Sequence, residues 1–224
     1  MAPLLPLYLN LSGRKGIVVG GGSVGERRAV AMLEGDMSVT VVSPSLTPEL
    51  SALADARQIT WTSGLYSGGQ LQGSTLACAA TDVEAVNEQV CRDGRSIGVL
   101  VNRADDPDRG DFVFPACVRR GDLCISITTG GASPILAARL QSDISGQFGP
   151  EWEAFVALLG ECRGFVKTRT SSPAVRRRIL ASLVDDEAAI RRLLRAGQAE
   201  EARARALSTV EGLCSVAPEA SPCT

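Results

Sequence analysis

Three glycines near the start of the chain have the spacing that is typical of binding to the diphosphate of a dinucleotide. Gly20, Gly22 and Gly25 form a G-x-G-x-x-G pattern that directly follows an apolar run and directly opens a helical pattern. In this setting the first glycine permits a tight turn, the second lets the backbone approach a diphosphate, and the third lets helix and strand pack closely. Backbone N–H groups at the helix start, at Ser23 and Val24, then face the diphosphate. The pattern predicts a dinucleotide site.

The acidic residue that usually binds the ribose hydroxyls, about 20 residues after the glycines, is missing. The second apolar run ends instead in Ser43, Pro44 and Ser45, whose hydroxyl and backbone groups are expected to replace the acid. The residues therefore leave the choice between NAD and NADP open. They also leave open a doubly wound domain that binds no nucleotide, because the fold alone does not imply the ligand.

Composition limits the remaining chemistry. The chain of 224 residues contains no histidine, which excludes a histidine-ligated metal and a histidine general base. Its seven cysteines are odd in number and lack zinc or disulfide spacing, so we interpret them as reduced thiols in a cytoplasmic protein. A formal net charge of -2 gives no indication of a nucleic-acid partner. No stretch is long enough to predict a membrane span.

Alternating strand and helix patterns surround the glycines. This alternation predicts a parallel sheet covered on both faces. The predicted strands are 16–19, 38–43, 59–62, 74–80 and 96–101, and the predicted helices are 23–35, 49–56 and 82–93. The pattern then changes to a hairpin, 112–118 and 123–128, and a helix that Ser133 caps and Pro134 begins.

The predicted fold class is therefore α/β, with a Rossmann-like parallel sheet domain, a small region of hairpin plus helix, and a helical C-terminal domain. The expected boundaries are 1–112 for the dinucleotide-binding domain, 113–150 for the small region, 151–215 for the helical domain and 216–224 for a disordered tail.

Four segments together resemble one family. They are VVGGGSVGERRA at 18–29, AATDVEAVN at 79–87, VNRADDPDRGDFVFPA at 101–116 and ITTGGASPILAARL at 127–140. Their order and spacing resemble precorrin-2 dehydrogenase, the module that also forms the N-terminal part of siroheme synthase. The likeness covers about residues 4–145.

The resemblance implies NAD-dependent oxidation of precorrin-2 to sirohydrochlorin by a cytoplasmic homodimer, with 113–150 as the dimerisation region. The family's key acid lies in an Asn-x-x-Asp segment, which assigns the catalytic role to Asp105, and Asp106 is the obvious rival. The cofactor-binding residues implied by the match also include Thr81 and Asp82. The implied substrate-binding residues are Asn102, Thr129, Gly130, Gly131 and Ser133.

A carboxylate beside the nicotinamide can take the proton released on oxidation, or stabilise charge on the pyrrole nitrogens. The substrate is a polycarboxylate, and arginines in the matched segments, including Arg103 and Arg109, are candidate partners for it. Some family members also insert ferrous iron. The lack of histidine favours dehydrogenation alone, and we predict no metal site.

A second interpretation is a nucleotide-sensing regulatory module with a helical dimerisation tail, since doubly wound domains serve both purposes. The acidic segment after the fifth strand favours the enzyme, because a sensor needs no carboxylate facing the nicotinamide.

Overall fold

The structure is a computed structural model that describes residues 4–216, with side chains described up to Cys214. It forms two compact units, one of residues 4–114 with 130–132, the other of residues 115–129 with 133–216. Apart from its first residue, the predicted tail 216–224 lies outside the described residues.

The first unit contains a parallel five-stranded sheet in the order β3-β2-β1-β4-β5. Its strands are β1 (Lys15–Val19), β2 (Ser38–Ser43), β3 (Ile59–Ser63), β4 (Leu76–Ala79) and β5 (Leu100–Arg103). The sequence order reverses at β1, whose neighbours are β2 and β4. Open α/β sheets bind ligands outside the carboxyl ends of the strands at this kind of switch point. The predicted Rossmann-like α/β fold is thus confirmed.

Helices cover both faces of the sheet, which explains why β1 and β4 are continuous apolar runs, whereas the edge strand β3 is mostly exposed. They are α1 (Ser23–Glu34), α2 (Pro48–Asp55) and α3 (Glu84–Ile97). Successive side chains of β1 enter opposite cores: Ile17 and Val19 belong to one buried cluster, while Val18 belongs to the other. These two cores hold the carboxyl ends of the strands in place.

The fifth strand begins later than predicted. The prediction ended a helix at Asp93 and began a strand at 96, whereas α3 continues to Ile97 and β5 begins at Leu100. The helix ends at Gly98, whose φ of 76° is the left-handed conformation that glycine adopts without strain. Arg103 is consequently the last residue of β5.

The second unit begins with an antiparallel hairpin, β6 (Ala116–Arg120) and β7 (Leu123–Ile127). The helix that follows, α4 (Pro134–Gln147), is capped by Ser133, whose hydroxyl accepts a hydrogen bond from the Leu136 N–H at 3.2 Å. The predicted helical C-terminal region is confirmed. It consists of α5 (Glu151–Arg169), α6 (Pro173–Asp185), α7 (Glu187–Arg195) and α8 (Ala199–Val216).

A separate apolar core holds the helices of the second unit together. All four helices from α5 to α8 contribute fully buried side chains to it. The side chains with no exposed surface in this core are Cys162, Val166, Ile179, Leu183, Ile190, Ala202 and Val210.

Candidate active site

A cleft of about 630 Å³ opens at the carboxyl edge of the sheet, where β1, β2 and β4 end. Its size lies within the range of small-molecule sites. Most of the residues that the sequence predicted for the cofactor lie together in this cleft. Those lining it are Gly20, Gly22, Ser23, Val24, Ser43, Pro44, Ser45, Thr81 and Asp82.

The three motif glycines differ in what a side chain at each position would meet. Gly20 has a φ of +120°, and a Cβ there would collide with the Ala80 carbonyl oxygen. Gly25 is buried beneath the loop instead of lining the cleft, and a Cβ on it would collide with the Gly20 carbonyl oxygen. Gly22 has an ordinary φ of -82°, and a Cβ on it would meet nothing within 4 Å. Only Gly22 therefore has free space on the side where a ligand can approach.

The N-terminus of α1 is available to an anion. Its N-cap, Gly22, offers no side-chain hydrogen bond to the first turn. The N–H groups of a helix's first turn lack intrahelical partners and carry a partial positive charge. Because Ser23 and Val24 also line the cleft, a diphosphate in it can accept hydrogen bonds from this turn.

Backbone hydrogen bonds hold the glycine loop against β2. The Gly20 N–H donates to the Val42 carbonyl at 2.9 Å, and the Thr47 N–H donates to the Gly21 carbonyl at 3.0 Å. Sequence reasoning did not single out Gly21, yet a Cβ on it would collide with the Ser45 carbonyl oxygen. The loop is therefore held in shape without a ligand, which reduces the entropy lost on binding.

Charge is scarce around the cleft. Among the described residues that line it, Asp82 alone has a charged side chain. The polar groups beyond the backbone are otherwise hydroxyls. They belong to Ser23, Ser43, Ser45, Thr47, Tyr66 and Thr81.

Asp105 lies one strand beyond the cleft. It follows β5, whose carboxyl end is at the same sheet edge as that of β4, but it does not line the cleft. The buried side chain of Asn87 lies between the two places. It accepts from the Thr81 N–H at 3.1 Å and donates to the Thr81 carbonyl at 2.9 Å, and it also helps to lower the pKa of Asp105.

The Asp105 carboxylate is bound by Arg103 in a two-pronged ion pair. Arg103 Nε donates to one Asp105 oxygen and Nη2 to the other, each at 3.1 Å. Burial raises the pKa of Asp105, but the hydrogen bonds from Arg103 and Asn87 outweigh it, so that the pKa lies below the usual value. Asp105 is therefore ionised at neutral pH. Arg103 was one of several arginines considered as candidate partners for substrate carboxylates; its side chain is only 1% exposed and is paired within the protein.

The residues predicted to bind the substrate, Asn102 and those in the segment before α4, make different hydrogen bonds. Asn102 is 2% exposed and its side-chain amide donates to the Phe112 carbonyl at 2.9 Å, so it supports the chain after β5. In the second unit, the Thr129 hydroxyl accepts from the Ser133 N–H at 3.0 Å and donates to the Ser133 carbonyl at 3.1 Å. Gly130 and Gly131, between them, have φ angles of 61° and 84°.

Residues 4–216 show no sign of a metal site, a disulfide or a membrane-spanning helix. That part of the chain contains no group of three or more Cys, Asp or Glu side chains placed to hold a metal ion. Its cysteines form no disulfide, and burial raises the pKa of Cys78 to about 12, as expected for a core thiol. None of its helices combines the length and apolar character that crossing a membrane demands.

Comparison with known proteins agrees with this geometry. Residues 7–116 match a family described as "Putative NAD(P)-binding". The chain is 36% identical over 180 residues to Siroheme synthase 1 of Aeromonas salmonicida, and 32% identical over 208 residues to the Siroheme synthase of Nitrosococcus oceani. These alignments cover 80% and 93% of this chain but only 38% and 44% of those proteins.

A solved structure extends the likeness over both units. It is described as "SirC, precorrin-2 dehydrogenase", with a TM-score of 0.71 and 26% sequence identity. The match covers 92% of this chain and 100% of that one. The chain thus spans less than half of the siroheme synthases it matches, and nearly all of it matches the dehydrogenase structure.

Proposed function

Because this chain belongs to the family formed by precorrin-2 dehydrogenase and the N-terminal module of siroheme synthase, we propose that it oxidises precorrin-2 to sirohydrochlorin with NAD as the cofactor. The observation that carries the proposal is the uncapped start of α1 at Gly22, in a cleft at the switch point of a parallel sheet. When bound there, the nicotinamide supplies the hydride acceptor.

The cofactor-binding residues follow from the cleft. First-turn N–H groups at Ser23 and Val24 bind the diphosphate, and Gly22 leaves room for it. Ser43, Pro44 and Ser45 lie where the adenosine ribose binds in this fold class. Thr81 and Asp82, after β4, line the side of the cleft nearer to Asp105 and belong to the nicotinamide half. Gly20 and Gly25 act through the shape of the loop.

We expect the protein to prefer NAD to NADP. A 2′-phosphate needs a cationic partner, usually arginine, near the end of β2. The described residues lining that part of the cleft supply hydroxyl and backbone groups only. Calorimetric titration with NAD⁺ and NADP⁺ measures this, and NAD⁺ is expected to bind at least about tenfold more tightly. Equal or tighter binding of NADP⁺ would contradict the assignment.

Asp105 is the proposed catalytic residue. Its ionised carboxylate lies at the carboxyl edge, one strand from the cleft, where a macrocycle that contacts the nicotinamide can also reach it. A fixed negative charge there stabilises positive charge on the pyrrole nitrogens as the hydride departs. Released protons can pass to solvent, because Asp105 is 36% exposed.

Precorrin-2 recognition is proposed to involve the segment before α4 and Asn102. Thr129, Gly130, Gly131 and Ser133 form a turn at the N-terminus of α4, which suits a substrate carboxylate. The buried Asn102 contributes by positioning the chain between β5 and Phe112.

The proposal also covers the quaternary structure and the cellular location of the protein. We propose a cytoplasmic homodimer that uses 113–150, the hairpin and α4, as its dimerisation region. Exposed apolar side chains on α4 support this role. They remain in contact with water unless a second subunit packs against the hairpin and α4. They are Ile135, Leu136 and Leu140, of which Ile135 is 85% exposed.

An anaerobic assay tests the function. Purified protein mixed with precorrin-2 and NAD⁺ should form sirohydrochlorin and NADH in equal amounts. Each product is measured through its own absorption band. NAD⁺ binding without turnover, in correctly folded protein, would refute the enzyme and favour the nucleotide sensor. Adding Fe²⁺ to the sirohydrochlorin formed tests for metal insertion in the same sample.

A further inference from the structure

A buried arginine lies at the centre of a charged cluster behind Asp105. Arg103 points under the first turns of α3, and its Nη1 donates to Glu88 Oε2 at 2.6 Å, while Nη2 lies 3.5 Å from Glu84 Oε1. Its other donors bind both oxygens of Asp105. Arg109 approaches the same two glutamates from the solvent side, at 3.4 and 3.7 Å. The three nitrogens of one planar guanidinium thus contact three carboxylates.

We propose that Arg103 is a positioning residue for the oxidation, which holds Asp105 ionised and in one orientation towards the bound substrate. The inference rests on the proposed function of Asp105. Glu88 and Glu84 orient the guanidinium from behind, since they lie one turn apart on the same face of α3. The forked pair fixes the plane of the Asp105 carboxylate more tightly than a single contact can.

This arrangement distinguishes two chemical roles for Asp105. A general base works best with a pKa near the working pH. The pKa of Asp105 is instead lowered, with hydrogen bonds from Arg103 and Asn87 overcoming the opposing effect of burial. A carboxylate held in this way accepts a proton poorly at neutral pH but is well suited to electrostatic stabilisation. We therefore assign it the role of a fixed negative charge.

Other titratable and charged groups surround the Arg103–Asp105 pair and contribute to its pH dependence. The groups that face Arg103 and Asp105 come from α3, from the end of β5 and from the segment after it. Glu84, Glu88 and Cys91 on α3 act on Arg103, and Arg92 and Arg109 approach Glu88 from outside. Asp106 pairs with Arg109, while Arg95 and Asp111 act on Cys91. Arg103 is the cation that contacts Asp105 directly, so its removal should raise the pKa of Asp105 most.

The test compares wild type with Arg103→Met, Arg103→Lys and the control Arg92→Met. Arg92 is also an arginine beside Glu88, at 4.0 Å, but it is 57% exposed and does not contact Asp105. Since the reaction needs ionised Asp105, the fall of kcat at acid pH should move to higher pH in Arg103→Met. Arg103→Lys keeps the charge but loses the fork, so its acid limb should lie between the two. Its kcat at neutral pH should fall roughly tenfold, from misorientation, while the KM for NAD⁺ is unchanged.

Carbon NMR titration of aspartate-labelled protein supplies a readout that needs no turnover. The Asp105 carboxyl should titrate at higher pH in Arg103→Lys than in wild type, and at the wild-type position in Arg92→Met. Wild-type kcat and acid limb in a folded Arg103→Lys variant would overturn the inference while the proposed function stands. An inactive wild type would overturn the proposed function, and with it the catalytic part of the inference. An unshifted Asp105 titration would refute the ion pair itself.

Discussion

Replacing Asp105 with alanine is expected to abolish precorrin-2 oxidation while NAD⁺ binding survives. The loss in kcat should be on the order of 100- to 10,000-fold, the range for removing one well-placed catalytic group. The reason is that the variant removes the fixed negative charge at the carboxyl edge, whereas the cleft is lined by other residues. Steady-state rates and calorimetric titration with NAD⁺ measure the two effects separately.

Asp106→Ala is the matched control. Asp106 is the neighbouring carboxylate, with 38% of its side chain exposed, close to the 36% of Asp105. It pairs with Arg109 at 3.2 Å and accepts from the Asp108 N–H at 3.2 Å, so its role is to shape the turn after β5. Asp106→Ala should keep most of the activity. Full activity in Asp105→Ala together with loss in Asp106→Ala would transfer the catalytic role to Asp106.

Gly22→Asp is expected to abolish dinucleotide binding in a protein that still folds. The backbone at Gly22 is in a region open to any residue, and a side chain there meets nothing within 4 Å. The new carboxylate would occupy the space for the diphosphate and repel it. Like charges brought together in this way cost several kcal/mol, which corresponds to a weakening of at least about 100-fold. Calorimetry with NAD⁺ measures the affinity, and circular dichroism with thermal melting measures the fold.

Two other glycine variants separate ligand effects from folding effects. Gly22→Ala adds a small uncharged group at the same place and should weaken binding less than aspartate does. Gly25→Ala should lower the melting temperature, because its Cβ collides with the Gly20 carbonyl oxygen within the loop. Retention of wild-type NAD⁺ affinity by folded Gly22→Asp would show that the diphosphate does not bind at this helix start.

The strand-turn-helix around the glycines could be predicted from the sequence because every signal there is local. Apolar runs, a glycine pattern and an amphipathic helix all lie within about one βα unit, and their periodicities differ. The lack of the usual ribose-binding acid, with Ser43, Pro44 and Ser45 in its place, could be read from the sequence for the same reason. The structure adds that these residues line one cleft with the glycine loop.

The predicted end of α3 at Asp93 was wrong, because the helix continues through Gly94 to Ile97. Gly94 is buried within the helix, where a Cβ would collide with Val101 on β5. The glycine therefore allows α3 to pack closely on the sheet, and the boundary lies at Gly98. A glycine needed for packing and one needed for termination look alike in a sequence, since only the tertiary contact separates them.

The contacts that surround Arg103 could not be predicted from the sequence. Its partners Glu84 and Glu88 are far away along the chain and meet it only when α3 lies over β5. One available signal was the spacing of Glu84 and Glu88, which puts two carboxylates on one helix face. Their partner could not be identified from that spacing, and Arg103 was considered only as a candidate partner for substrate carboxylates.

A crystal structure of the protein with NAD bound tests the central claim most directly, because that claim places the dinucleotide and Asp105 at one edge of the sheet. We predict the diphosphate on the N–H groups that begin α1, the adenosine beside Ser43 to Ser45, and the nicotinamide beside Thr81, on the side of the cleft towards Asp105. A nicotinamide directed instead towards β3, with Asp105 beyond the reach of a macrocycle that contacts the ring, would contradict the account.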